Sequence, residues 1–305
     1  MRKIRERCSH FTLQKQLLHL SYLSFSFNTM APVPSNNELR LSALTVLGMA
    51  DPVQKVRQTQ ILFEQQQSGQ VALDVHQQLT EPAGVTIPGR PARPELVSPL
   101  AVKQRTMRTL EGRAILLHAL CHIEFNAINL ALDAIWRFSD MPAAYYVDWL
   151  KVAAEEAMHF TLLSDHLKTL GYAYGDFSGH DALWEMVAKT RDDVLARMAL
   201  VPRTMEARGL DAAPATRNKL AQVGDEAGVA IIELILRDEI GHVAIGNRWF
   251  GYLCQQRDLD PIHCYASLAK KYSAPRLRGP FNLAARRAAG FSELELQALL
   301  DALNV

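Results

Sequence analysis

Apolar residues recur every three or four positions over long stretches of this chain, the period that lays one face of an α-helix against a core. From about Thr106, "RTLEGRAILLHALCHIEFNAINLALDAIWRF" runs without proline at that spacing and predicts a long helix. Pro142 then breaks the pattern. "AAYYVDWLKVAAEEAMHFTLLSDHLKTLG" predicts a second long helix, closed by Gly171. Beyond the turn-rich "GYAYGDFSGH", a third is expected over "DALWEMVAKTRDDVLARMALVPRTMEARG". A fourth follows over "DEAGVAIIELILRDEIGHVAIGNRWFGYLCQQ", capped by Asp225. Upstream, "NELRLSALTVLG" and "DPVQKVRQTQILFEQQQ" read as shorter helices, the second with Asp51 as N-cap and Pro52 at its first position. Residues 69–100 carry Pro82, Pro88, Pro91, Pro94 and Pro99 and predict an irregular segment that wraps the rest. Alternating valine-rich strands are absent, so the pattern gives an all-α fold built on a four-helix bundle.

The resulting division is residues 35–100 as short helices plus a proline-rich wrap, 101–256 as the bundle, and 257–305 as a basic helical extension. Residues 1–34 are set outside the fold. Their opening "MRKIRERCSHFTLQKQLLHLSYLSFSFNTM" is basic and serine-rich, with Glu6 its only acid. It reads either as a targeting segment without a clean cleavage site or as sequence upstream of a start at Met30.

Composition narrows the function classes. With 305 residues and 49% apolar content the chain can bury a sizeable core. A net charge of +1 implies no polyanionic partner from the total alone. Cys8, Cys121, Cys254 and Cys264 are scattered, so neither a zinc knuckle nor a disulfide framework is expected, and a reducing cytoplasm is the plain reading. No apolar run reaches the ~18–20 residues that span a bilayer, so no membrane association is expected.

The chemistry lies in a repeated word. "VAAEEAMHF" holds Glu156-x-x-His159 and "LRDEIGHV" holds Glu239-x-x-His242, each preceded by an acid, Glu155 and Asp238. Residues i and i+3 share a helix face, so each word presents a carboxylate and an imidazole together. The helical neighbours of Glu124, Glu156 and Glu239 are mostly apolar, and no Lys or Arg lies among them. A buried carboxylate must be protonated, ion-paired or bound to a cation. Glu233, with Arg237 four residues on, reads instead as a surface pair, and His118, His122 and His166 as hydrogen-bonded core histidines.

Spacing makes the pattern a repeat. Glu124 precedes Glu156 by 32 positions, and Glu206 precedes Glu239 by 33. Across a turn near Met141, Glu124 and Glu156 each lie ~24 Å along the bundle and so face one another. Four carboxylates and two histidines, Glu124, Glu156, His159, Glu206, Glu239 and His242, would hold two divalent metals, with oxygen-rich coordination that suits iron or manganese. The third-helix ligand is the open position. The near-equal intervals favour Glu206, although Gly209 and Pro214 are expected to interrupt the helix beyond it, and Glu185 is the fallback ligand on that helix.

This layout resembles the ferritin-like di-iron carboxylate superfamily, which includes ribonucleotide reductase small subunits and bacterial multicomponent monooxygenases. More closely, "HIEFNAI", "LWEMVAKTRDDVLARMALVPRTMEARGLD", "DEIGHVAIGNRWF" and "RGPFNLAARRAAGFSE" resemble a bacterial ferritin-like family of unknown function, numbered 455 among such domains. The resemblance extends from about residue 37 to the end. It implies two iron ions (manganese or a mixed Mn/Fe pair being the variants), with Asp238 orienting His159 and Glu155 orienting His242. It also implies an oxygen-dependent oxidase or hydroxylase that takes a small-molecule substrate and an electron donor. The alternatives are an iron-handling ferroxidase and a metal-stabilised scaffold without catalysis. The long non-bundle segments at both ends argue against a closed storage shell and for a monomer or small oligomer. Between Pro261 and Ser292 there is no acid, but Lys270, Lys271, Arg276, Arg278, Arg286 and Arg287 all occur. This stretch is expected to be a solvated or internally paired basic face. An anionic partner, a phosphorylated metabolite or RNA, is the functional alternative, and no RNA-binding motif accompanies it.

Overall fold

The computed structural model describes residues 38–101 and 106–302. The N-terminal expectation, for residues 1–34, falls outside them. Eleven α-helices follow one another among the described residues, with two isolated β-bridges and no sheet.

Two short helices, α1 (Leu39–Leu47) and α2 (Pro52–Gln67), come first. The Asp51 side chain accepts from Gln54 N and starts α2 where Pro52 fixes the first turn. The described residues between Gly69 and Thr109 are irregular, apart from a single 3₁₀ turn at Pro99–Ala101. α1 packs on α3 (Leu110–Arg137) and α2 on α4 (Ala143–Thr169). Arg40, 1% exposed, fixes α1 by donating to the carbonyls of Ile135 and Trp136, where α3 ends, and to Gln77 O in the wrap.

The bundle proper is α3, α4, a broken third strut and α8 (Glu226–Gln256). α3 starts at Thr109, whose hydroxyl accepts from Gly112 N, and is buried on nearly every side between Glu124 and Trp136. For that reason it is, by length and composition, apolar enough to cross a bilayer, which the sequence reading did not anticipate. Its most apolar window is 72% buried against its neighbours, so the apolarity belongs to the bundle core. At the end of α4, Gly171 takes φ +81°, a left-handed turn that lets Tyr172 N close back on Leu167 O.

The third strut corrects the expectation of one uninterrupted helix. α5 (Ala182–Lys189) stops, and Asp193 restarts the chain by accepting from Leu195 N and Ala196 N. α6 (Val194–Leu200) then passes into a π segment, Val201–Glu206, and on into α7 (Ala207–Gln222). The fully buried Asp133 of α3 anchors the strut by accepting from Arg197 of α6 at 2.6 Å, and it also pairs with Arg137 at 2.7 Å. In the π segment Pro202 supplies no N–H, and the Thr204 hydroxyl reaches back five residues to Ala199 O at 2.9 Å.

Gly209 and Pro214 do not interrupt α7, contrary to expectation. Pro214 would deprive Leu210 O, four residues back, of its helical donor. Asn282 Nδ2 takes that place at 3.2 Å, so the C-terminal extension satisfies the carbonyl that proline leaves open. That extension is α9 (Pro261–Lys271), α10 (Leu283–Ala288) and α11 (Glu293–Asp301). All described residues belong to one compact unit, 36–305.

Candidate metal centre

α3 brings in Glu124, α4 brings Glu156 and His159, and α8 brings Glu239 and His242, each from a buried stretch of its helix. Glu156 and both histidines have no exposed surface. Glu124, Glu156, His159 and Glu239 each offer a ligand atom within 4.8 Å of the others, a group able to hold a metal ion.

Glu156 is the hub. Its Oε2 lies 3.2 Å from His159 Nδ1, and its Oε1 lies 2.9 Å from His242 Nδ1. The second pair is near but not aligned as a hydrogen bond, and both atoms are left without a partner. Glu124 Oε2 stands 3.6 Å from His159 Nδ1, and Glu239 Oε2 stands 3.8 Å from His242 Nδ1. The two half-sites therefore meet at one carboxylate, with imidazole Nδ1 atoms turned inward on both sides.

The outward nitrogens are held by the acids of the other half. His159 Nε2 is 3.2 Å from Asp238 Oδ2, and His242 Nε2 is 3.0 Å from Glu155 Oε2. Each acid has its own cation: Lys151 Nζ sits 2.7 Å from Glu155, and Arg237 Nε sits 2.9 Å from Asp238. An Nε2–H donated to a carboxylate fixes the ring and leaves the Nδ1 lone pair for a metal. Arg237 therefore does not pair with Glu233 as its i+4 spacing suggested. Glu233 pairs with Arg217 at 2.9 Å, because a carboxylate one residue away and already facing inward is the better anchor for Arg237.

Glu206 is 8% exposed, and neither of its carboxylate oxygens has a hydrogen-bond partner. It feels the charges of Glu156 and His242, and Glu239 in turn feels Glu206, so it belongs to the same electrostatic cluster. Glu185 is exposed on α5. Helical neighbours alone put Glu206 on a mixed face near a helix end. The π segment that ends at Glu206 departs from the α-helical spacing behind that reading, and the side chain is buried. Of the other histidines, His118 accepts from Gly175 N, His122 contacts Tyr174 Oη and His180 O, and His166 pairs with Asp225.

The protons report the shortage of positive charge. Burial, then the neighbouring Glu156 carboxylate, push Glu124 and Glu206 up to about 8. The same two causes hold Glu239 well above the carboxylate range. Burial also opposes ionisation of Glu156, but His242 and His159 outweigh it and keep that group well below its usual value. Both histidines are held well above the imidazole range: burial disfavours their charge, but Asp238, Glu124 and Glu156 around His159, and Glu156 and Glu155 around His242, prevail. Five of the six inward groups are thus proton carriers where a cation would otherwise balance the charge. Orphaned oxygens on Glu124, Glu156 and Glu239 and an orphaned His242 Nδ1 lie within this cluster, and Glu206, on the wall of the cavity that Glu124 and Glu239 share, carries two more, so the donor set fits oxygen-preferring divalent metals.

Beside the cluster lies a cavity of about 290 Å³, reached by Glu124, Glu206 and Glu239. Its walls are Leu120, Ile123, Leu183, Met205, Ile232 and Leu236 with small alanines between them; His180, Arg208 and Thr216 are its other polar lining.

A family model described as "Protein of unknown function (DUF455)" matches residues 48–297. The chain belongs to the DUF455 family. An uncharacterized protein of Haemophilus influenzae is 50% identical over 218 residues, covering 69% of this chain and 76% of the relative. No solved structure matches the chain. The family model begins between α1 and α2 and ends within α11, so the cluster, the π segment and most of the C-terminal extension are inside the matched region.

Proposed function

We propose that this DUF455 protein is a di-iron oxidoreductase that uses dioxygen to oxidise or hydroxylate a small, largely apolar molecule. The observation that carries this reading is the contact between cluster and cavity: three candidate ligands line a space walled mainly by hydrocarbon. Glu124, Glu156, His159, Glu206, Glu239 and His242 would hold the metals, manganese replacing one or both irons being the chemical variant. Bound ferrous iron supplies electrons to dioxygen and so an oxidant strong enough for unactivated C–H bonds.

The protein's own share is position and exclusion. Glu155 and Asp238 keep both imidazoles in the tautomer that presents Nδ1 inward. Apolar side chains keep bulk water from the cavity and set the substrate against the three carboxylates. Glu124, Glu206 and Glu239 would give up their protons on metal binding, and as cavity-wall residues they would set the metal side of the substrate space. The electron donor is proposed to be a separate protein or small molecule, and the setting a cytoplasmic one. A route built to deliver iron would present carboxylates along its length, whereas this cavity has none beyond the ligands themselves.

The experiment is to load the protein with ferrous iron without oxygen, admit oxygen, and follow gel filtration with iron and product analysis. The expected result is a monomer or small oligomer that consumes oxygen in proportion to its own iron and deposits no mineral. A large assembly holding hundreds of irons would replace the oxygenase reading with iron storage.

A further inference from the structure

Among the described residues, the acid-free basic stretch 261–292 leaves two cations without a carboxylate partner at one cavity. Arg286 is buried against Asp211 at 2.6 Å, Arg287 pairs with Glu293, and Lys271 lies over the Tyr272 ring. Among the described residues, Arg276 donates to a neutral carbonyl, Ala302 O, and neither it nor Lys270 makes an ion pair. Both line a cavity of about 460 Å³ formed by α9, α11 and the loop between α9 and α10. That volume is in the ~300–1,000 Å³ range of small-molecule sites.

Arg203, from the π segment, is a further cation on the wall. It is 4% exposed and stacked among Phe250 (4.2 Å), Phe291 (5.1 Å) and Tyr265 (5.6 Å). One guanidinium nitrogen meets Glu295, the only acid on the wall among the described residues, while Nε and Nη1 have no hydrogen-bond partner among them. Once Arg286 and Arg203 are set against Asp211 and Glu295, Lys270 and Arg276 remain as net positive charge. The rest of the lining is mainly Ile262, Ala266, Ala269, Leu277 and Leu299 with aromatic edges. An apolar chamber with cations at its rim selects for charge and hydrocarbon together.

We infer that this cavity is a binding site for a small organic anion, an apolar body carrying one carboxylate or phosphate head. The head pairs with Lys270 and Arg276 and the body fills the space between α9 and α11. None of its lining residues is a candidate metal ligand, so the site is distinct from the metal cluster. Arg203 and Glu206 nevertheless ride on one six-residue segment, so the occupant contacts the element that carries a candidate ligand.

Calorimetric titration of the full, metal-loaded chain tests this with decanoate, decyl phosphate and, as the neutral control, decanol. Both anions should bind saturably at one site, at least tenfold more tightly than decanol. The exposed double substitution K270A/R276A should weaken the anions at least tenfold and leave decanol unchanged. Filling the chamber with Ala266→Trp should abolish binding, while Ala213→Trp, in the cavity beside the metal cluster, should not. Equal affinity for decanol and decanoate, unchanged anion binding in the double variant, or binding lost only in Ala213→Trp would each overturn the assignment. So would the absence of saturable anion binding. Each of these results leaves the proposed oxidoreductase chemistry standing, because none depends on metal content.

Discussion

Asp238 and Glu155 touch no other member of the inward cluster, yet each holds a histidine by its outward nitrogen. Losing such a partner typically weakens metal affinity ~10–100-fold, because the ring then samples both tautomers and many orientations. Asp238→Ala and Glu155→Ala should each do so in a competitive metal titration; affinity unchanged in both would remove their role. The pH dependence follows from the inward groups. Unfolded glutamates titrate near 4.5, while folded Glu124 and Glu206 titrate near 8. The folded chain thus binds more protons between those values, and the metal-free protein should lose stability as pH rises from about 4.5 to about 8. The raised histidines act in the same direction above their unfolded pKa, and the depressed Glu156 and Asp238 matter only on the acid side. Metal affinity should climb over the same window as protons leave the ligands. Urea midpoints of metal-free protein at pH 5 and pH 8 check the first trend; a higher midpoint at pH 8 would contradict it. The Glu-x-x-His words made four of the inward groups legible from sequence, because i and i+3 share a face whatever the surrounding fold. The surface cations Lys151 and Arg237 that steady the two acids were not recognised in these roles. Arg237 has acids at both i−4 and i+1, and spacing alone does not rank them.

The elements were legible where the helix ran undisturbed and illegible where it changed type. α3, α4 and α8 follow from apolar periodicity, with Gly171 closing α4 and Asp225 opening α8; the Thr109 cap of α3 lies three residues beyond the expected start near Thr106. The third strut does not, since Asp193 caps a new helix inside a stretch that keeps helical composition, and buried Arg197 finds its partner on α3. Pro214 signalled a break that Asn282, more than sixty residues on, makes unnecessary. Gly246 explains how the π segment docks. A methyl group there would lie 2.4 Å from Pro202 Cβ, so α8 and the π segment touch only because the side chain is missing. Gly246→Ala should therefore destabilise by ~1–3 kcal/mol through overpacking and shift Glu206 with the segment, weakening metal retention. Gly251→Ala on the same helix meets nothing within 4 Å and should instead gain about 0.5–1 kcal/mol. Thermal or urea unfolding of the pair, with metal content measured alongside, separates the two; equal behaviour would mean that the close contact does not constrain the segment.

At the scale of the whole molecule, four helices converge on carboxylates that must be protonated or metal-bound to share one core. Metal that binds only the folded state adds RT ln(1 + [L]/Kd), about 2.7 kcal/mol at a hundredfold excess over Kd. The melting temperature should rise with Fe(II) or Mn(II), and a metal-free protein as stable as the loaded one would favour a purely structural bundle. The flanking segments complete the molecule: α1 and α2 cover α3 and α4, and the basic extension packs back on the third strut instead of projecting as a free polycationic arm. The central claim is that the two halves together hold a pair of metals, and the most direct measurement is metal stoichiometry after ferrous reconstitution and removal of free iron. The account predicts about two irons per chain, falling sharply in both Glu156→Ala and His242→Ala. Fewer than one iron per chain in the wild-type protein, or unchanged content in both variants, would contradict it.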